Sequence, residues 1–600
     1  MAEAASPSPA SRAPYREISA RAIALGIVQG IAMTAAFTYA GLKLGFGVGG
    51  STVAAILGLV VLRGLFRDGS IVENNVNQTV ASGINTASSG VVFTVPALLL
   101  LGLDFDPWML VIAAVAGSFM GIVVIIPLRK QMVELDRLRF PSGTAVATLL
   151  KATASGKEKA TLLAIGASAS ALMVIGMEQG LVPEEWDVGA LLGLPPYLGV
   201  ALYLSLMNLG AGLLSGKGGL PFFLGGVLAW WFLAPVAVNM GWIPAEFASD
   251  EMGTVDFLYG TMFRPLGIGI LIGGALMGVV LAFPAIKAAI GSLASAVKVQ
   301  QASGEKVSAD ELPATVLYVG IALSAVVLTA VVWMLDPSLG PARIVFAGVA
   351  GTVWIAVAGL IVAQATGMTD ISPLSGLALI AVTLLLGITG AMGSEGGLAD
   401  ATVQSAVVVA VAVGVAVCVA TSQCADMMQD LKTGHMVGAR PAAQQMVQFG
   451  VAWIGPLVAI GTMMILWTTP DGSPGFGPES AACLQGAGDC LSAPQAGALQ
   501  GMISGVVDGN APVDKYLAGG ILGGAVTLFP VGGLGVLLGL AMYLPFSITL
   551  GYGIGCLMSM AMQKVKGARW MEDKVVPLAA GLIVGEALTA LVFSIGKAFG

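Results

Sequence analysis

The sequence predicts an all-α, polytopic integral membrane protein with about 16 transmembrane helices, some of them discontinuous or re-entrant. Three observations carry this. Of 600 residues, 56% are hydrophobic and only 10% charged, with a mean hydropathy of +0.90, whereas a water-facing globular domain carries about 25% charged residues. The apolar residues lie in long solid runs such as Leu162–Met177 and Ala406–Ala420, not in the alternating segments of roughly ten residues that mark barrel strands. A spanning helix needs about 20 apolar residues to cross roughly 30 Å of hydrocarbon, which leaves room for around fourteen to sixteen of them. The 83 glycines suit close helix packing in lipid and supply places for helices to break.

In chain order, residues 1–18 form a polar, Ser/Pro-rich tail with Arg12 and Arg16 and no cleavable apolar segment, read as a disordered cytoplasmic tail. Hydropathy then suggests spans near 19–42, 46–65, 76–102, 107–128, 160–181, 195–215, 218–240 and 264–288. These make a first half over 19–290. A charged insertion at 291–313, with Lys298, Glu305, Lys306, Asp310 and Glu311, reads as an amphipathic cytoplasmic connector. The second half, 314–600, carries spans near 314–335, 343–367, 371–391, 402–421, 446–468, 497–508, 515–545, 546–563 and 575–597. The segment 497–508 is short and 515–545 is divided at Pro530, so at least one is expected to be re-entrant.

Charge sets the orientation. The loop after the fourth span holds Arg129, Lys130, Arg137, Arg139, Lys151, Lys157 and Lys159, while loops on the other side hold Glu184, Glu185, Asp187, Glu246, Asp250, Glu251 and Asp256. The positive-inside rule places the N-terminus of this multi-pass protein in the cytoplasm. A net charge of −7 argues against nucleic acid as a partner. Of five cysteines, Cys418, Cys424 and Cys556 lie in or beside apolar spans as packing thiols. Cys483 and Cys490 sit in the polar stretch 469–497, where they pair if that loop faces an oxidising compartment and stay thiols otherwise.

Polar groups inside spans are costly and therefore point to function. The first cluster, Glu73-Asn74-Asn75-Val76-Asn77-Gln78-Thr79-Val80-Ala81-Ser82-Gly83, opens an otherwise apolar helix. A helix end there would offer unpaired N–H groups to a carboxylate or chelate oxygen. The second, Phe140-Pro141-Ser142-Gly143-Thr144, is expected to break a helix while its hydroxyls satisfy the freed backbone. The third runs from Gln423 to His435 and puts Asp426 and Asp430 on one helix face. It reads equally as a proton carrier tuned by Lys432 and as a solvated helix end capped by Gly434. Glu586, midway through the run 577–593, has no cation near it in sequence and suits proton coupling. Asp508, Asp514 and Lys515 flank a break at Gly509-Asn510-Ala511-Pro512.

Enzyme signatures are missing: there is no HExxH, zinc-type Cys/His spacing or phosphate loop. Gly486-Ala487-Gly488-Asp489 imitates an intramembrane protease motif but lies in a polar loop without its partner. Membrane pyrophosphatases need magnesium-binding aspartate clusters, and channels need a repeated filter; neither pattern occurs. An intramembrane enzyme and a channel remain the remoter readings.

At Glu73-Asn74, Gln78-Thr79-Val80-Ala81, Phe140-Pro141-Ser142-Gly143-Thr144-Ala145, Asp430-Leu431-Lys432-Thr433-Gly434-His435 and Tyr543-Leu544-Pro545 before Ser547-Ile548-Thr549, the sequence resembles the oligopeptide transporter superfamily. Prokaryotic members and the plant yellow-stripe branch are the most similar. The resemblance implies a proton-driven secondary importer of small oligopeptides or peptide-like metal chelates, with metal chelates alone as the alternative. It departs from a metal carrier in having a single histidine and no metal cage, so any metal would arrive wrapped in its chelator. The residues expected to bind substrate are Glu73, Asn75, Gln78, Thr79, Ser82, Ser142, Thr144 and Lys432. Those expected to couple protons are Glu586, Asp430 and Glu73. No metal or cofactor site is expected, the partners are the bilayer, substrate and protons, and a homodimer is left open.

Overall fold

In the computed structural model the described residues run from Glu17 to Phe599, apart from 46, 48–49, 67–68, 152–155, 249–250, 275, 279, 282–314, 370–371, 373, 395, 468–476, 478–490 and 509–511, and 532. The tail up to residue 16, the connector, the Cys483/Cys490 loop and the Gly486–Asp489 tetrapeptide lie outside them. The described residues are helical almost throughout. Ten helices among the described residues are long and apolar enough to cross a membrane, and Ser51–Leu62 and Leu374–Thr389 are shorter apolar helices. A two-stranded antiparallel ribbon, β1 (Glu185–Asp187) with β2 (Ala201–Tyr203), is the sheet among the described residues.

The principal helices begin with α1 (Ala20–Leu44), α2 (Ser51–Gly58), α3 (Ile71–Asn85), α4 (Pro107–Arg129) and α5 (Pro141–Lys151), with two short helices, Ala87–Val92 and Pro96–Leu100, between α3 and α4. They are followed by α6 (Gly156–Glu178), α7 (Leu206–Ser215), α8 (Leu220–Val227), α9 (Gly253–Gly278), α10 (Thr315–Leu335), α11 (Pro341–Thr369) and α12 (Leu374–Thr389). Then come α13 (Ala401–Val437), α14 (Pro441–Val451), α15 (Ile454–Trp467), α16 (Pro494–Val507), α17 (Val513–Thr527), α18 (Leu534–Tyr543), α19 (Phe546–Lys566) and α20 (Val576–Phe599).

The 37-residue α13 is the central pillar, packed by α3, α4, α5, α11, α12 and α14. Its apolar stretch is 89% buried. The approach to α4 is made by glycine: a Cβ on Gly117 would stand 2.2 Å from the Ala416 carbonyl oxygen, so no larger residue fits. A second group gathers α20 with α6, α7 and α1, and α19 with α7 and α8.

Several boundaries differ from the sequence expectation, each for a physical reason. The helix expected from 76 begins at Ile71, because the Ser70 hydroxyl accepts from the Glu73 N–H as N-cap. The Asn/Gln-rich stretch is therefore the helix itself, not its entrance. Its low intrinsic propensity is overridden by burial of every residue from Val72 to Asn85. The helix expected to end at 421 continues to Val437 and closes on Gly438 at φ 82°, so Gly434 lies inside it and not at its cap.

Pro141 does not break a helix but starts α5 at its first position, where a missing N–H costs nothing. Phe140 before it takes φ 43° and donates its N–H to Gly367 O at 3.0 Å. The span expected at 195–215 is instead the ribbon followed by α7. A 3₁₀ turn at Gly216–Gly219, with Gly216 at φ 49° and ψ −128°, separates α7 from α8. The division near Pro530 is present, as α17 ends at Thr527 and α18 starts at Leu534.

Candidate functional site

Residues 75, 78, 79 and 82 recur at helical spacing and so share one face of α3, turned toward α13 and α14. The opposite polar face serves α1 and α2. There Asn74 Nδ2 donates to Ala55 O (3.0 Å), and Asn77 Nδ2 donates to Gln29 Oε1 (3.2 Å) and Ala54 O (3.3 Å).

On the α13 face, α3 and α13 run antiparallel and meet in polar rungs. Thr86 and Ser422 hydroxyls stand 2.9 Å apart. Ser82 Oγ donates to Asp430 Oδ2 at 2.6 Å, and Gln78 Nε2 donates to Asp430 Oδ1. From α14, Gln444 Nε2 bridges Thr79 Oγ1 (3.0 Å) and the Asp430 carbonyl (2.8 Å). Asn75 Nδ2 reaches Gln78 Oε1 at 3.5 Å and Thr79 Oγ1 at 3.4 Å. Asp430 is 1% exposed, and Asn75, Gln78, Thr79 and Gln444 are 0% exposed. A carboxylate at such depth is tolerated only with donors on both oxygens, and this one has them.

The fold thus joins four expected substrate residues to an expected coupling carboxyl. Other expected residues stand apart. Glu73, one turn before Asn77, has its carboxylate held by Arg21 Nε (2.6 Å) and Nη2 (2.8 Å) and by Ser19 Oγ (2.5 Å). Ser142 is exposed, and Thr144 donates its hydroxyl to Arg139 O at 2.7 Å. The residue of that motif that meets α13 is Gly143: its N–H donates to Gln429 Oε1 (2.7 Å) and its carbonyl accepts from Thr433 Oγ1 (2.8 Å). Lys432 is half-buried and His435 exposed.

Glu586 belongs to a second buried cluster. Its Oε1 accepts from Ser205 Oγ at 2.5 Å and its Oε2 from Met207 N–H at 2.8 Å. It therefore caps the N-terminus of α7, where the helix dipole favours a negative charge. Lys43, 7% exposed, is the cation acting on it, with its ammonium 5.0 Å from the Tyr203 ring centre and 5.7 Å from that of Tyr39. Lys43 is distant in sequence, so only folding brings the charge to Glu586.

Sequence reasoning passed over Gln444, Arg21, Lys43 and Ser205. The signal for Gln444 was available: Gln444-Gln445-Met446-Val447-Gln448 opens an apolar helix with three carboxamides in five residues, close to the four in six at 73–78. The basic residues lie just beyond or inside an apolar span and carry no local mark of their partners.

Comparison with known proteins agrees with this architecture. Residues 17–597 match the family described as "OPT oligopeptide transporter protein". The chain is 29% identical to the "Putative oligopeptide transporter" of Haemophilus influenzae, over 93% of this chain and 92% of that protein. It is 25% identical to the "Probable metal-nicotianamine transporter YSL6" of Arabidopsis thaliana, over 61% of this chain and 56% of that one. The rice protein of the same name is 25% identical over 59% of this chain and 54% of its own length. With the match running nearly end to end over a polytopic helical chain, the protein belongs to the OPT oligopeptide transporter family.

Proposed function

We propose that this protein is a secondary, proton-coupled importer of small oligopeptides or peptide-like metal chelates in a bacterial inner membrane, with its N-terminus in the cytoplasm. The observation that carries the reading is Asp430, a buried carboxyl held by Gln78 and Ser82 where α3, α13 and α14 meet. Carboxamides and hydroxyls around it suit zwitterionic, carbonyl-rich substrates, and an acid that changes charge among neutral donors suits coupling to protons. Asn75, Gln78, Thr79 and Ser82 contact the substrate in this reading, with Glu73, Lys432, Ser142 and Thr144 along its path and Glu586 as a second coupling group. The substrate leaves chemically unchanged.

The likeness to the plant proteins named for metal-nicotianamine supports a chelate as cargo. Among the described residues no three His, Cys, Asp or Glu side chains converge on a metal position. In this reading any metal travels inside its chelator.

Current across proteoliposomes with acid outside tests the reading. The additions are a di- and tripeptide mixture and, separately, a ferric amino-carboxylate chelate. Inward current with peptides identifies a peptide symporter, and current with the chelate alone identifies a chelate symporter. Silence to both in sealed vesicles holding folded protein overturns the proposal.

A further inference from the structure

Gln444, Gln445 and Gln448 share one side of α14, and all three are buried. Gln444 and Gln445 each leave their Oε1 unpartnered among the described residues. Gln448 goes further: neither its Nε2 nor its Oε1 has a hydrogen-bond partner there. Its carboxamide lies over the bare backbone of Gly83, the residue after Ser82. A Cβ on Gly83 would stand 2.8 Å from Gln448 Cγ and 3.0 Å from its Nε2.

Gln423 on α13 is fully buried and unpartnered at both ends as well. It follows Ser422, whose hydroxyl meets that of Thr86 at 2.9 Å. Against α4, a Cβ on Gly121 would stand 2.8 Å from Gln423 Cβ. Phe449, beside Gln448, stacks on Phe119 of α4 with ring centres 6.2 Å apart. Both glutamines therefore lie in the core where α3, α4, α13 and α14 converge, within a turn of α3 from the bond between Ser82 and Asp430.

A buried carboxamide normally finds partners, because its donor and its acceptor both lose water on folding. An apolar side chain of the same shape would suit this packing better. Four unpartnered amide atoms on two side chains thus weaken this conformation, and a ligand that supplies the partners offsets the loss. A donor and an acceptor on one planar group match the C=O and N–H of a peptide group. A chelate such as ferric nitrilotriacetate offers acceptors only, and would leave Oε1 unsatisfied.

We propose that Gln448 reads a peptide group of the substrate, its Nε2 donating to a backbone carbonyl oxygen and its Oε1 accepting from a backbone N–H. Gln423 is the second amide of the same core. The proposal rests on the importer reading above and narrows its cargo to peptides. In this conformation α3 covers the carboxamide. Met446, on the opposite side of α14, is exposed, which puts α14 at the edge of the bundle, where it can part from α3. Gly83 then leaves the approach clear of side chain.

The test is equilibrium binding to the full-length protein in detergent. The probes are trialanine, trialanine with both peptide nitrogens methylated, and ferric nitrilotriacetate. The unsubstituted protein should bind trialanine, and the methylated analogue about tenfold more weakly. Gln448→Met keeps the shape and removes both polar atoms. It should weaken trialanine binding about tenfold, abolish the difference between the two peptides, and melt no lower than the unsubstituted protein. Equal affinity of the unsubstituted protein for the two peptides overturns the proposal without any substitution. A difference that persists in Gln448→Met overturns it too, and unaltered trialanine affinity in that variant leaves Gln448 a packing residue. Binding of the ferric chelate alone keeps the importer reading and removes the peptide reader. Binding of none of the three by folded, unsubstituted protein overturns the importer reading itself.

Discussion

Arg21 grips Glu73 across the start of α1 and α3, Nε to Oε1 at 2.6 Å and Nη2 to Oε2 at 2.8 Å. Both oxygens of the carboxylate are engaged, and Glu73 is 3% exposed. Arg21→Gln would leave the acid with the Ser19 hydroxyl as its remaining side-chain donor, at a cost of about 1–3 kcal/mol. Glu73→Gln keeps the shape and costs less. Because the residues share one interaction, the double substitution should fall short of the sum. Thermal unfolding in detergent measures this. Titration with the transported probe measures the second expectation, that Glu73→Gln weakens binding in a folded protein; unaltered affinity removes Glu73 from the substrate path.

Glu586→Gln replaces an oxygen that accepts from Ser205 Oγ or Met207 N–H with an amide that donates. One donor at the α7 N-terminus then faces another, and stability should drop by about 1–3 kcal/mol. Uphill uptake should vanish while downhill exchange continues. Uphill uptake at the original rate would leave Glu586 the role of a helix cap alone.

Gly143→Ala places a Cβ 2.3 Å from Gln429 O, an atom of the α13 backbone that cannot swing aside. Overpacking of this kind costs about 1–3 kcal/mol. The melting temperature should fall well below that of Ser142→Ala, since Ser142 is exposed. Equal melting temperatures would show that α5 yields without strain.

Asp573, just before α20, bonds Lys159 of α6 at 2.8 Å, and Lys574 pairs with Glu158. The Lys159 ammonium holds the Asp573 carboxyl below its ordinary range. Its contribution is therefore present above the unfolded-state value, near 3.9, and is lost as pH falls through the lower folded-state value. Asp573→Asn should flatten the decline in melting temperature below about pH 4. A decline as steep as that of the unsubstituted protein would show that other carboxyls govern it. The effect is small, as both pairs reach water.

The amide-rich stretch at 73–82, Asp430 and Glu586 were all legible as costly polar residues in apolar helices, because the bilayer makes such residues conspicuous. Where their helices begin and end was not. A hydropathy window stops at polar residues, so it cut α3 at 76, α13 at 421 and α14 at 446. In each case tertiary contacts bury the polar turn and carry the helix onward.

By itself the sequence determined the solvent, the helical class and which side chains cannot rest in lipid alone. Composition and run length decide those, and both are local properties. Only the tertiary structure decided pairing: Asp430 with Gln78 and Ser82, Glu586 with Ser205 and Lys43, Glu73 with Arg21. These partners lie far apart along the chain. What selects them is the packing of whole helices through glycine contacts, which no single segment encodes.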